Sequence, residues 1–328
     1  MSKVSIIVAV FNGEPFISRC VESLTQQTHR DLQMIFVDDG STDRSLSLLR
    51  DYAARDSRME VYALAQNKGL PHARNEGLRH VTGDYVGTLD VDDWLSPDAI
   101  EQGASVLDQH EQTDCVLFRL VSVDSDGTTT DYPIKPFTCI SGEEAMKRSL
   151  DWQDIHGLYL IRRELHLKYP FDTTTRVYAD ENTARFHFKA VREVRSCGGI
   201  YFYRKNPQSI TNKASLSYYD HLRANENLRK QLISMGIDNE TRQRLASKLW
   251  FGVVDCYYFY YTHRHQHDAQ GRKYALAEIK RAWQNAPVSE VPARFLFMVG
   301  YWPLRWSWTM FRIQEEVYFF LRRKIKGV

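Results

Sequence analysis

From Val4 to Val10 the chain is almost wholly apolar, with Ser5 the one polar position, and β-branched residues dominate the run. That pattern predicts a strand buried on both faces. A turn at Phe11-Asn12-Gly13 follows, and then a helix opening near Pro15 with its buried stripe at Phe16, Cys20, Val21 and Leu24. The alternation continues. Strands are predicted at Gln33–Asp38, Met59–Leu64 and Tyr85–Leu89, with helices at 42–54 and through His72, Arg74 and Leu78 between them. Strands alternating with helices at this spacing predict an α/β fold with a mostly parallel sheet.

The fourth strand empties into Asp90-Val91-Asp92-Asp93. Carboxylates at a strand end sit over the crevice where open α/β sheets take ligands. Asp90 and Asp92 are two residues apart, which on an extended backbone points both the same way. Such a pair calls for a cation or hydrogen bonds to offset it, and hard oxygen donors suit Mg2+ or Mn2+. An acidic surface turn is the other reading of these residues. Ser96 as N-cap, with Pro97 at the first helical position and Asp98 in the first turn, predicts a helix directly after.

Beyond residue 110 the alternation loosens. A strand at Cys115–Val123 meets a hairpin signal at Asp126-Gly127, with Thr128–Tyr132 returning beside it. Ser141-Gly142-Glu143-Glu144 reads as a capping box opening a helix to Leu150. Tyr159–Ile161 and Gly199–Tyr203 are strand candidates, and Asp180–Ala190 is helical. From about Ser217 the pattern is all helix: Leu222–Gly236, Glu240 to about Tyr261, and Tyr274–Trp283. These shifts divide the chain into 1–110, 111–215 and a helical 216–328.

With 328 residues and 43% hydrophobic positions, a sizeable core is available. A net charge of +2 argues against a general nucleic-acid binder. Five cysteines, scattered and never in a Cys-x-x-Cys pair, fit reduced thiols in a cytosol. The Val4–Val10 run is too short for a signal peptide and lacks a cleavage site. The nearly apolar run Phe295–Leu304 falls well short of the roughly 20 residues a membrane span needs. His263, His265 and His267 read as a surface loop rather than a metal site. The Tyr257–Tyr261 run reads as core packing.

The end of the chain differs. From Val291 it holds seven Lys or Arg against two acids, and Trp302, Trp306 and Trp308. On a helix, Trp306, Met310, Ile313, Val317, Phe320 and Leu321 share one face, followed by Arg322, Arg323, Lys324 and Lys326. The pattern suits an interfacial helix on anionic lipid, and equally one docked on its own domain or on a second subunit. The first case gives a cytoplasmic protein peripheral on the inner face of the membrane.

Taken in order, Val4–Val8, Phe11-Asn12, Val37–Asp43, Asn67-Lys68-Gly69, Ala73-Arg74-Asn75 and Leu89–Asp93 resemble the nucleotide-sugar half of family 2 glycosyltransferases, which have the GT-A fold. Tyr178–Thr183, Tyr203-Arg204 and Ser209-Ile210-Thr211 resemble the acceptor half of bacterial polysaccharide and lipopolysaccharide members. The resemblance implies a nucleoside-diphosphate sugar donor, most often a UDP-sugar, a saccharide or lipid-linked saccharide acceptor, and Mn2+ or Mg2+. It implies that Phe11, where relatives usually have Tyr, stacks on the base, and that Asp39 accepts the imide N–H of uracil. Lys68 and Arg74 then face base carbonyls or phosphates, Asp90 takes the ribose hydroxyls, and Asp92, Asp93 or both bind the metal. Asp180 becomes the catalytic base, with Glu181 as its rival. Ala179 stands where relatives often carry Glu. Tyr203 and Arg204 close over the diphosphate or line the site. The implied reaction is an inverting sugar transfer. A nucleotidyltransferase is the competing enzyme class, but Phe11–Glu14 is not the Gly-rich phosphate loop it needs. A non-catalytic carbohydrate-binding scaffold would not need Asp39, Asp90, Asp92 and Asp180 together.

Overall fold

The computed structural model describes residues 1–150, 155–176, 178, 180–205, 215–296, 298 and 300–326. Two compact units divide the chain, Met1–Pro207 and Gln208–Val328.

The first unit begins with β1 (Val4–Val10), α1 (Glu14–Thr25), β2 (Leu32–Asp38), α2 (Ser45–Ala53), β3 (Met59–Ala63), α3 (Leu70–Leu78) and β4 (Tyr85–Thr88). It continues through β5 (Trp94–Leu95), α4 (Ala99–Gln109), β6 (Thr113–Val123), β7 (Thr129–Asp131), β8 (Cys139–Ser141) and α5 (Gly142–Ser149). β9 (Tyr159–Arg162), α6 (Arg163–Lys168), α7 (Asp180–Ala190) and β10 (Glu193–Arg204) complete it.

Ten strands among the described residues form one sheet in the order β3-β2-β1-β4-β9-β6-β10-β5, with β7 on β6 and β8 on β10. The first four are parallel, as the βα alternation requires. The rest corrects the expectation of a mostly parallel sheet: β9 runs against both β4 and β6, so the whole is mixed. β6 and β10 pair in parallel, but β7, β8, α5, β9, α6 and α7 intervene between them, so the sequence shows no simple βα alternation there.

Three local readings are also corrected. Residues 90–93 are a tight turn, with the Asp93 N–H donating to the Asp90 carbonyl at 3.0 Å, and not an extended continuation of β4. α4 starts at Ala99 instead of following Ser96 directly. The Ser96 hydroxyl turns to the Asp98 carboxylate at 2.9 Å, and its carbonyl accepts the Ala99 N–H. β10 begins six residues before Gly199, because parallel pairing with β6 and a β-bulge carry it through Cys197 and Gly198. The capping hydroxyl of Ser141 does accept the Glu144 N–H, at 3.1 Å.

The core fills both faces of the β1–β2 region. Ile17, Cys20, Val21 and Leu24 of α1 pack under Val4, Ile6 and Val8. On the opposite face α3 lies so close to β1 that a Cβ on Gly77 would stand 2.5 Å from the Ile7 side chain. That close approach fixes where Arg74 and Asn75, one turn earlier on α3, emerge.

The second unit is helical: α8 (Asp220–Ser234), α9 (Asn239–His263), α10 (Ala269–Asn285), α11 (Ala293–Leu296) and α12 (Trp308–Lys326), with short 3-10 turns at Leu216–Tyr219, Arg264–Gln266 and Val288–Glu290. Tyr257 and Tyr260 are buried in its core with Trp250, Phe311 and Phe319. The His263–His267 segment is helix end and 3-10 turn where a loop was expected. Among the described residues no helix is long and apolar enough to cross a membrane.

Candidate active site

The parallel pairing of β1 with β2 and β4 brings their C-terminal ends side by side, with Val10 opposite Asp38 and Ile7 opposite Thr88. The residues expected in the nucleotide half follow one of these ends or stand on α3, except Lys68, which lies in the loop between β3 and α3. Asn12 ties two of the turns together. In a left-handed conformation (φ 50°), its side-chain oxygen accepts the Thr42 N–H at 2.8 Å, and its own N–H donates to Ser41 Oγ at 3.0 Å. Phe11, just before it, leaves its ring 46% exposed at the mouth.

Asp39 is buried and serves the loop before α3. Its carboxylate accepts the N–H of Lys68 at 2.8 Å and of Gly69 at 2.7 Å. Gly69, at φ 96°, needs the conformational freedom of glycine to present that N–H. The Lys68 side chain is exposed. Arg74 is buried, and its guanidinium reaches Asp90 Oδ1 at 2.6 Å; the Asp90 carboxylate is 38% exposed. A buried guanidinium beside a half-open carboxylate fixes that carboxylate in place.

The three aspartates part ways. Asp92 is half-buried. Asp93 is buried, and its oxygens accept the Tyr201 O–H at 2.9 Å and the Arg204 N–H at 2.8 Å. Burial pushes the Asp93 carboxyl up to about 8, and the charges of Asp90 and Asp92 add to the effect. Tyr201 also accepts the Asp90 N–H at 3.1 Å. Arg204 donates from Nε to the Asp92 carbonyl at 3.0 Å, and its guanidinium stands 5.1 Å from the Trp94 ring centroid. Arg19 lies over the same indole at 3.3 Å, and Phe202 stacks on it at 5.4 Å. Two cations thus border the acidic turn on a rigid aromatic support.

A second set of bonds leads from α3 toward α7. Asn75 and Phe171 exchange a reciprocal pair, side-chain amide to carbonyl and backbone N–H to side-chain oxygen, each at 2.9 Å. Asp172 next to it takes the Asn182 amide at 3.0 Å, and its N–H donates to Thr183 Oγ1 at 3.0 Å. These tie the loop after Tyr169 to the first turn of α7, the helix that Asp180 opens. The Asp180 side chain lies outside the described residues, as do Ala179 and residues 209–211. Glu181 is exposed and accepts from Arg185 at 3.1 Å. Tyr203 is 39% exposed.

Tyr201, Arg19, Trp94 and Asn75 are not singled out by sequence. Tyr201 and Tyr203 alternate on a strand, which marks a face but not a partner. Asn75 stands beside Arg74 in the expected Ala-Arg-Asn, with nothing local to indicate Phe171.

Among the described residues no group of three or more His, Cys, Asp or Glu side chains stands together to hold a metal. Asp93 is buried against Tyr201 and Arg204, so Asp90 and Asp92 are the carboxylates of the turn that reach the rim. That donor set does not make a protein-only cage. It does fit Mg2+ or Mn2+, which bind through one or two carboxylates and fill their shells with water and substrate phosphates.

The family model for glycosyl transferase family 2 matches residues 5–174. The uncharacterized glycosyltransferase EpsJ of Bacillus subtilis is 33% identical over 242 residues, covering 66% of this chain and 70% of that one. The structure of S. aureus TarS 1-349 in complex with UDP-GlcNAc superposes with a TM-score of 0.73 at 18% identity, over 96% of this chain and 91% of that one. The mannosyltransferase PcManGT from Pyrobaculum calidifontis, in complex with GDP-Man and Mn2+, gives 0.52 at 18% identity, over 97% and 86%.

Proposed function

Because the chain belongs to glycosyl transferase family 2 and has the GT-A fold, we propose that it is an inverting, metal-dependent glycosyltransferase that moves a sugar from a UDP-sugar to a glycan or lipid-linked acceptor in bacterial surface polysaccharide synthesis. The observation that carries this reading is the convergence, at the C-terminal ends of β1, β2 and β4, of the exposed Phe11 ring, the Arg74–Asp90 pair and the Asp90–Asp93 turn. TarS bound to UDP-GlcNAc supports the donor class, and EpsJ from Bacillus subtilis supports glycosyl transfer.

In this reading Phe11 stacks on the uracil. Asp39 shapes the Lys68–Gly69 loop and recognises the base with its remaining lone pairs. Asp90, held by Arg74, takes the ribose hydroxyls, and Lys68 faces the base carbonyls or phosphates. Asp92 is the carboxylate that would hold Mn2+ or Mg2+, because Asp93 is committed inward. Bound there, the ion supplies positive charge to the departing diphosphate. Arg204 adds a cation beside the same turn.

Asp180 opens α7, where the helix N-terminus favours a carboxylate in its ionised form. It takes the proton of the acceptor hydroxyl as that oxygen bonds to the anomeric carbon. The bond from that carbon to the diphosphate oxygen breaks, UDP leaves with the electron pair, and the anomeric configuration inverts. The sugar passes through an oxocarbenium-like transition state.

The test is thermal shift and turnover with UDP-, GDP- and dTDP-sugars, with and without Mn2+, on wild type and Asp92→Ala. Metal-dependent stabilisation by a UDP-sugar, lost in the variant, is the expected result. Stabilisation without metal, or an unaffected variant, overturns the metal assignment. A response only to another nucleotide overturns the donor. Asp180→Asn should keep donor binding while transfer falls by about 10²–10⁴, and Glu181→Gln should not.

A further inference from the structure

α12 carries a second surface, independent of which sugar is moved. Its inner side buries Phe311, Glu315 and Phe319. Its outer side leaves Met310 49%, Ile313 59%, Val317 53%, Phe320 50% and Leu321 49% exposed. Spacings of three, four, three and one place these five on a single stripe about 100° wide. Trp302 and Trp306, before the helix, are exposed at 60% and 89%.

The C-terminal end of this stripe is basic. Arg322, Arg323 and Lys324 are exposed at its C-terminal end. Lys324 Nζ rides 4.8 Å over the Phe320 ring, so its stem follows the apolar surface while its ammonium reaches past it. Three acids lie near the stripe, and Asp255 is within electrostatic reach of Arg322. Glu315 is on the buried side, and Glu316 is taken by Arg264 at 2.7 Å and Tyr257 at 3.2 Å. Tryptophans at one end, apolar side chains along one face and basic residues at the other end complement a surface that is apolar below and negative above. A second copy paired stripe to stripe would bring the same apolar and basic residues and no acid of the stripe itself. A bilayer with anionic headgroups supplies both parts. The helix is too polar to span, so it lies in the headgroup plane.

We propose that the exposed stripe of α12, flanked by Trp302 and Trp306 and by Arg322–Lys324, is a docking surface for an anionic lipid bilayer.

Flotation of the full chain tests this with vesicles of phosphatidylglycerol and phosphatidylethanolamine, and with vesicles of phosphatidylcholine alone. Wild type should float with the first and not the second. Ile313→Asp/Phe320→Asp should need about tenfold or more lipid for half-binding, with circular dichroism and metal-dependent donor hydrolysis unchanged. Lys324→Glu, at a fully solvated position, should weaken binding to the anionic vesicles alone. Equal flotation of wild type and the double variant overturns the proposal. So does self-association in sedimentation velocity without flotation, which would assign the stripe to a second copy. Flotation is read without any substrate, so it fails or succeeds separately from the transferase reading.

Discussion

Tyr201 donates its O–H to Asp93 Oδ2 at 2.9 Å while accepting the Asp90 N–H at 3.1 Å. One buried hydroxyl on β10 therefore holds both ends of the acidic turn that follows β4. Asp92, between them, is placed by these two anchored ends together with the Arg204 Nε bond to its carbonyl. β10 and β4 are not neighbours in the sheet, so this bond sets the turn from the far half of the unit.

Tyr201→Phe should separate positioning from folding. It leaves the Asp90 N–H and one Asp93 oxygen without this partner, at a cost of about 1–3 kcal/mol in denaturant unfolding. Turnover should fall about tenfold, and the Mn2+ concentration for half-maximal activity should rise, because the turn loses its register. A stability loss with an unchanged metal dependence would reduce Tyr201 to a core residue.

Asn75→Ala removes both bonds to the Phe171 backbone. The Phe171 amide should exchange with deuterium faster, and stability should drop by about 1–3 kcal/mol. The kcat for transfer should fall more than the donor KM rises, since the loop leads to the first turn of α7. A change confined to donor KM would show that Asn75 acts only through Arg74.

Glu315 gives a pH dependence with a definite sign. Burial pushes its carboxyl up to about 7, from 4.5, and one of its oxygens has no hydrogen-bond partner. The folded chain then binds more protons than the unfolded chain between these two values, so this group's contribution to stability declines as pH rises from about 4.5 through about 7. Glu315→Gln removes the penalty. Its unfolding free energy should exceed wild type at pH 8 by on the order of 3 kcal/mol, less any misfit of the amide. The difference should vanish near pH 4.5, where both folded carboxyl and amide are neutral. A difference independent of pH would assign the effect to packing.

Sequence alone determined the parallel half of the sheet, because β1 and β2 are nearly continuous apolar runs and short strands alternate there with helices. β1 and the helix of Asp180–Ala190 fall where their patterns put them. The same local logic exposed the α12 stripe, since a 3.6-residue period needs no partner to be seen. Tertiary structure decided the rest. Asp90, Asp92 and Asp93 are chemically identical in sequence, and only the turn, with Arg74 from α3 and Tyr201 from β10, makes one a paired rim carboxylate and another a buried acceptor. Antiparallel β9 and the full length of β10 depend on pairing across the sheet, which leaves no mark on local periodicity. A carboxylate's role follows from what desolvates it and what donates to it, and both come from residues distant in the chain.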